Sequence, residues 1–162
     1  MTRPTADATP APAAADTPDR APFWKTTALA DMSAAQWESL CDGCGKCCLE
    51  KYEDADTGAI HYTNVACRLL DCHACRCTDY AHRAARVSDC ITLTPAHLQD
   101  PGWLPETCAY RRLAEGRPLP AWHHLRSGDP EAVHRAGASA RGWIVPEHEV
   151  TDPLLHLIDG VR

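Results

Sequence analysis

The sequence is short of aromatic side chains and of long apolar runs. Of its 162 residues one is Phe, four are Tyr, five are Trp and two are Met. No stretch approaches the roughly 20 consecutive apolar residues that a membrane helix needs, so no membrane partner is expected. Residues 1–22 lack the apolar run of a secretory signal, which gives the expectation of a cytoplasmic, reducing location. Positive charge is short as well: 16 Lys and Arg stand against 22 Asp and Glu, a formal net charge of -6. Proteins that grip a phosphate backbone need clustered Lys and Arg to displace its counterions, so no nucleic-acid partner is expected. A Gly-rich phosphate loop, a dinucleotide fingerprint and a nucleophile elbow are all missing. A protein partner stays open.

What the chain has in excess is cysteine, with ten among its 162 residues. Thiols stay reduced in a reducing compartment, so ten of them point to metal binding or redox chemistry rather than to a disulfide framework. The length is that of one domain. Residues 1–22 are rich in Pro, Ala, Thr and Asp without periodicity, and a disordered tail is expected there, followed by a single cysteine-cluster domain over residues 23–162.

Local signals place the cysteines. Ser33 reads as a helix N-cap, Gln36 completes a capping box, and Met32 and Trp37 occupy the two positions of a hydrophobic staple. Trp37, Leu40, Cys41 and Cys44 follow at helical spacing, and Gly43 and Gly45 end the helix. Residues 49–65 predict a hairpin with its turn at 54–58. Ile60, Tyr62 and Asn64 alternate there against His61 and Thr63, and the hairpin would return Cys67 to Cys47 and Cys48. Residues 67–90 hold five cysteines and few apolar residues, a segment that needs a staple. Thr94-Pro95 starts a helical turn. Thr107 is expected to cap a helix over 108–115 that stops at Gly116. Asp129-Pro130 and Asp152-Pro153 read as two further helix starts, and residues 143–145 as a short strand. The expected class is α+β: a small, irregular, mostly helical domain with a short hairpin, organised around cysteine-bound metal.

The run Cys41-Asp42-Gly43-Cys44-Gly45-Lys46-Cys47-Cys48 contains two overlapping Cys-x-x-Cys pairs with a further cysteine appended. Two cysteines at that spacing reach one ion from a single turn, and soft thiolate suits zinc, copper(I) and iron–sulfur clusters. Cys67, Cys72, Cys75, Cys77, Cys90 and Cys108 follow. Adjacent side chains point in different directions, so Cys47 and Cys48 more naturally serve two ions, or two corners of one cluster. At least two metal ions, or one cluster and one ion, are therefore expected. The competing reading treats some cysteines as small buried hydrophobes, and it weighs most for the isolated Cys90 and Cys108. Cys108 would stand at a helix N-terminus, where free N–H groups favour a thiolate.

These residues resemble the CxxCxxCC signature of the YkgJ-type cysteine-cluster proteins, a zinc- or iron-chelating family, and most closely its YcgN-like branch. Pro22-Phe23-Trp24, the stretches 37–44, 63–68 and 104–116, and Leu119-Pro120-Ala121-Trp122-His123 support the resemblance, which spans about residues 22–150. It implies metal ligation by Cys41, Cys44, Cys47 and Cys48, extended to Cys67, Cys75, Cys77, Cys90 and Cys108. The family pattern has no cysteine at position 72, so Cys72 is left unassigned, and the N-terminal extension is not part of it. The cofactors implied are zinc or iron ions, with an iron–sulfur cluster as one form.

Among other candidates, Arg68, Tyr80 and Arg83 follow cysteines closely and could donate to sulfur or offset its charge. Of nine histidines, His123 is the preferred exception to a plain hydrogen-bonding role. The leading expectation is an intracellular metal-binding module without turnover of its own. The alternatives are an iron–sulfur or non-haem iron enzyme of redox or group-transfer type, and a thiol-redox sensor using Cys47-Cys48 or Cys75 and Cys77. Whether the chain is an enzyme is left open.

Overall fold

The computed structural model describes residues 21–161, and all but the last two residues of the expected N-terminal tail lie outside them. Ordered structure opens with α1 (Phe23–Thr26), and α2 (Ala34–Ser39) follows with its capping box formed. The Ser33 amide donates to Gln36 Oε1 at 2.9 Å, and the Gln36 amide donates to Ser33 Oγ at 3.2 Å. Met32 and Trp37, the two positions expected to form a staple, both pack against one apolar cluster. The helix is shorter than its spacing suggests. It stops at Ser39, so Cys41 and Cys44 lie in the loop beyond it. Gly43 and Gly45 sit at φ 74 and 77, left-handed values that no helix continues through.

The hairpin consists of β1 (Leu49–Glu53) and β2 (Ile60–Ala66), antiparallel with Leu49 opposite Ala66. Its turn is held by Asp54 Oδ1, which accepts from the amides of Asp56 and Thr57 at 3.0 and 2.8 Å. A second, minimal hairpin pairs β3 (Leu70–Asp71) with β4 (Arg76–Cys77). Later come α3 (Arg83–Arg86), α4 (Ala109–Ala114), α5 (His124–Ser127), α6 (Ala132–Arg135), β5 (Val145–Pro146) and β6 (Leu157–Ile158). β5 joins β2 in parallel and β6 joins it antiparallel, so β2 is the central strand. That position explains why the expected alternation fails: Tyr62, Thr63, Val65 and Ala66 are all buried. Thr63 is satisfied in place, donating from Oγ1 to the Glu50 carbonyl at 3.0 Å.

Three boundaries differ from expectation. The cap of α4 is Cys108, one residue later than Thr107, and its extended ψ of 128 sets the helix start. α6 begins after Glu131, while Asp129 Oδ1 holds the Glu131 amide at 2.9 Å just ahead of it. The strand expected over 143–145 is instead the pair Val145–Pro146. The 3-10 turns Pro95–Leu98 and Pro153–His156 do follow Thr94 and Asp152. The α+β class holds, built from short helices and short sheets. Among the described residues no helix is long and apolar enough to cross a membrane.

One apolar cluster gathers Leu40, Leu98, Leu104, Ala109, Tyr110 and Leu119, with Phe23, Trp24, Trp37 and Trp103 against it. Another gathers Leu49, Tyr62, Ala66, Leu70, Cys75 and Ala140 around the sheet. The cysteine loops run between the two.

Candidate metal centre

A cavity of about 840 Å³ opens between these clusters, and nine of the ten cysteines line it: Cys41, Cys44, Cys47, Cys48, Cys67, Cys75, Cys77, Cys90 and Cys108. Cys72 does not line it. Each wall is placed by a local device. The loop after α2 is folded back by Asp42, whose Oδ1 accepts from the Cys44 amide at 3.0 Å, and by the Ala140 amide, which donates to the Cys44 carbonyl at 2.7 Å. Gly45 lies so close to Cys75 that an added Cβ would sit 3.1 Å from the Cys75 Cβ and 3.4 Å from its sulfur. Cys75 itself takes φ 54, an uncommon value for a side-chain-bearing residue. The first hairpin delivers Cys67, whose amide donates to the Cys48 carbonyl at 2.9 Å. Cys77 stands on β4 opposite Leu70, and the Cys90 amide closes a turn on the Val87 carbonyl at 3.1 Å. Cys108 heads α4, which is tied to α2 where Tyr110 Oη donates to the Trp37 carbonyl at 2.8 Å.

At Cys41, Cys44 and Cys108 ionisation is opposed. Burial, then the charge of Cys47, pushes the Cys41 thiol up to about 12. Cys41 is solvent-accessible and also lines the cavity. Burial also pushes Cys108 up to about 12, although the Arg111 and Tyr110 amides pull the other way. Cys44 is raised by burial and then by Asp42. The vicinal pair splits. Its sulfurs lie 3.9 Å apart, and their mutual hydrogen bond lowers the Cys47 thiol and raises that of Cys48.

The charges acting between sulfurs fall into two neighbourhoods. Cys41, Cys44 and Cys108 each respond to Cys47. Beyond its vicinal partner Cys48 responds to Cys67, and Cys90 responds to Cys67 and Cys77. Cys75 instead responds to Arg141 and Cys72.

This donor set suits zinc or iron. Soft thiolates are held where burial and mutual repulsion both penalise the charged form, and a bound cation relieves both penalties. Among the described residues no three His, Cys, Asp or Glu side chains already form a coordination shell. The sulfurs share a cavity wall, and side chains must turn inward to close on an ion.

The remaining candidates divide. Arg83 stacks with its guanidinium carbon 3.7 Å from the centre of the Tyr80 ring, donates to the Tyr80 carbonyl at 2.9 Å, and hydrogen-bonds Cys90. Tyr80 Oη donates to Glu38 Oε2 at 2.7 Å, on the rim rather than to sulfur. The Arg68 side chain donates to the Arg86 carbonyl, and its backbone amide donates to Glu147 Oε2 at 3.0 Å. His123 takes the plain role. It is fully buried, Nε2 donates to the Leu40 carbonyl at 3.0 Å, and Nδ1 accepts from the Leu125 amide at 3.2 Å. With both nitrogens committed to backbone, His123 has no lone pair for a metal.

Three residues went unnoticed in the sequence. Lys51 Nζ reaches back to donate to the Cys47 and Leu49 carbonyls at 2.7 and 2.8 Å, and its charge acts on Cys47, Cys48 and Cys67. The Arg76 guanidinium lies 3.4 Å from where a Gly43 Cβ would stand and favours the Cys41 thiolate. Asp42 Oδ2 is buried and accepts no hydrogen bond. Asp42 and Arg76 lie between cysteines in sequence, which is the signal that could have found them. Lys51 becomes visible only once β1 exists.

A family model described as "CxxCxxCC: Putative zinc- or iron-chelating domain" matches residues 40–109. The chain is 59% identical over 138 residues to a UPF0260 protein of Rhizorhabdus wittichii, covering 85% of this chain and 94% of the relative. A UPF0260 protein of Mesorhizobium japonicum is 59% identical over 133 residues, covering 82% and 90%. One from Pseudomonas aeruginosa is 54% identical over 131 residues, covering 81% and 88%. No solved structure matches the chain.

Proposed function

The chain belongs to the UPF0260 family, and from that premise we propose that it holds zinc or iron on the thiolates of its cysteine-walled cavity. The observation that carries this reading is the gathering of nine cysteines, drawn from five separate stretches of chain, around one cavity. Free cysteines used only as small hydrophobes have no reason to share a wall.

In this reading the vicinal pair is divided between two ions. Cys41, Cys44, Cys47 and Cys108 form one four-sulfur neighbourhood, and Cys48, Cys67, Cys77 and Cys90 form the other. Each has the number of ligands that tetrahedral zinc requires. Cys75 packs against Gly45 and supports the loop rather than an ion. Lys51, Arg76 and Arg83 offset the negative charge that two such sites accumulate. The metals then do for residues 67–90 what an apolar core does elsewhere, and the protein is a metal-binding module.

A second reading draws on the size of the cavity. Its 840 Å³ falls within the range of small-molecule sites and exceeds what two bare ions fill. An iron or iron–sulfur centre facing that space would have room for a substrate.

Elemental analysis and a visible spectrum of protein purified without oxygen test both readings. About two ions per chain and no colour support the zinc module, and sulfur-to-iron charge-transfer bands support the second reading. Metal clearly below one ion per chain overturns both. Cys72→Ser serves as a control whose metal content should equal that of the parent.

A further inference from the structure

The sites proposed above use sulfur alone, yet a carboxylate stands inside the cysteine run. Asp42 is only 6% exposed. Its Oδ1 is occupied by the Cys44 amide at 3.0 Å. Its Oδ2 is buried and has no hydrogen-bond partner. A carboxylate oxygen removed from water without a partner is costly, and proteins avoid it unless something else satisfies the atom. The nearby basic groups do not. Lys46 is close enough for its charge to act on Asp42, but it donates no hydrogen bond to this oxygen. His123 feels the same charge while both its nitrogens are engaged with backbone.

Asp42 lines the cavity together with Cys41, Cys44 and Cys47 of the same loop. A buried anion beside three thiols is an unfavourable arrangement for the protein alone. It becomes favourable when a cation lies between them.

We infer that Asp42 is a metal ligand through Oδ2 and takes the place of one of the four sulfurs assigned above, giving the ion at Cys41, Cys44, Cys47 and Cys108 a mixed donor set of three sulfurs and one oxygen. The inference rests on the metal reading of the cavity. It has a consequence for selectivity. Carboxylate is a hard donor, and adding it to thiolates favours zinc or iron(II) over copper(I), which thiolates alone would accept. It also gives this ion one ligand on a short, charged side chain next to the cavity, whereas the ion near Cys48 and Cys67 keeps sulfur only.

The experiment is X-ray absorption at the zinc edge on the full chain loaded anaerobically with zinc, for the parent and for Asp42→Asn, with affinity measured by chelator competition. Asp42→Asn keeps an acceptor for the Cys44 amide, and circular dichroism checks that it folds. The parent should show a light-atom shell at about 2.0–2.2 Å beside sulfur at about 2.3 Å. Asp42→Asn should lose that shell and weaken one of the two zinc ions by roughly tenfold or more. A sulfur-only shell in the loaded parent overturns the assignment of Asp42 and leaves the metal reading standing. A light-atom shell and an affinity unchanged in Asp42→Asn do the same. Failure of the parent to take up zinc or iron at all overturns both. If Asp42→Asn does not fold, the shell of the parent still decides.

Discussion

Two regions of this molecule are built on different physical grounds. Around Leu40, Leu104, Tyr110 and Leu119 the chain buries apolar side chains and closes its polar groups on each other. His123 uses both nitrogens, Tyr110 uses its hydroxyl, and Trp37 Nε1 donates to the Leu93 carbonyl at 3.1 Å. Across residues 67–90 and the loop 41–48 there is instead a large cavity walled by thiols, an unpartnered carboxylate oxygen and strained backbone at Cys75. The first region is complete without a ligand. On the proposed reading the second has polar and ionisable groups that a cation satisfies, so the two should respond oppositely to the same perturbations.

Metal withdrawal should show the largest difference. A strong chelator is expected to abolish amide protection in 41–48 and 67–90 cooperatively, because thiolate sites and local folding are coupled. Protection in α2, α4 and around Leu119 should fall far less. Hydrogen exchange followed by mass spectrometry reads both regions in one sample. Equal loss in both, or native circular dichroism throughout, would break the comparison.

His123→Ala probes the other side. It removes a fully buried ring and leaves the Leu40 carbonyl and the Leu125 amide without partners. The expected cost is about 3 kcal/mol in denaturant unfolding. Metal per folded chain should stay at the parent level, and its loss would mean that the regions are not separable.

A pair of glycines sharpens the comparison next. Gly45→Ala forces a Cβ to within 3.1 Å of the Cys75 Cβ at φ 77, whereas Gly142→Ala at φ 89 meets open space. The left-handed backbone alone costs about 1–2 kcal/mol. Gly142→Ala should show that cost and no more, while Gly45→Ala should exceed it and release metal as well. Thermal melts paired with metal analysis would separate the two.

The smallest expected effect, taken per unit of pH, is a pH dependence of opposite sign in the two metal states. Without metal, Cys108 keeps its proton until about 12, while the unfolded chain loses it at its ordinary value of 9.0. Between those values the unfolded state binds fewer protons, so stability falls as pH rises, by at most about 1.4 kcal/mol per unit for this thiol. With metal, binding expels thiol protons, so affinity should rise with pH between about 6 and 8. Chelator competition and urea melts at several pH values check the two signs.

The sequence showed the local devices well. Ser33 with Gln36, the turn at Asp54 and the Pro-led turns after Thr94 and Asp152 were legible because each is settled within a few residues. The return of Cys67 to Cys48 followed from hairpin geometry. What failed was decided by distant chain. The centrality of β2 depends on β5 and β6, about 80 to 95 residues away, and it buried Thr63 against the expected alternation. The cap of α4 moved from Thr107 to Cys108, a residue that ranks low among cap formers. The backbone bonding of His123 was not legible because its two partners, Leu40 and Leu125, are brought to it by tertiary packing. Asp42 and Arg76 stood between cysteines in the sequence, whereas Lys51 became visible only once β1 carried it back over Cys47.

The bond from the Cys67 amide to the Cys48 carbonyl also bears on time. It closes at the end of a hairpin in which Leu49 faces Ala66, and hairpins of this kind form in about 1–10 μs. A scarce ion arrives far more slowly than that. On the proposed reading, the newly made chain therefore presents two neighbouring sulfurs before any metal reaches it. Loading becomes a capture by a prepared pair rather than a search by an unfolded chain, and the more distant Cys77 and Cys90 are recruited last.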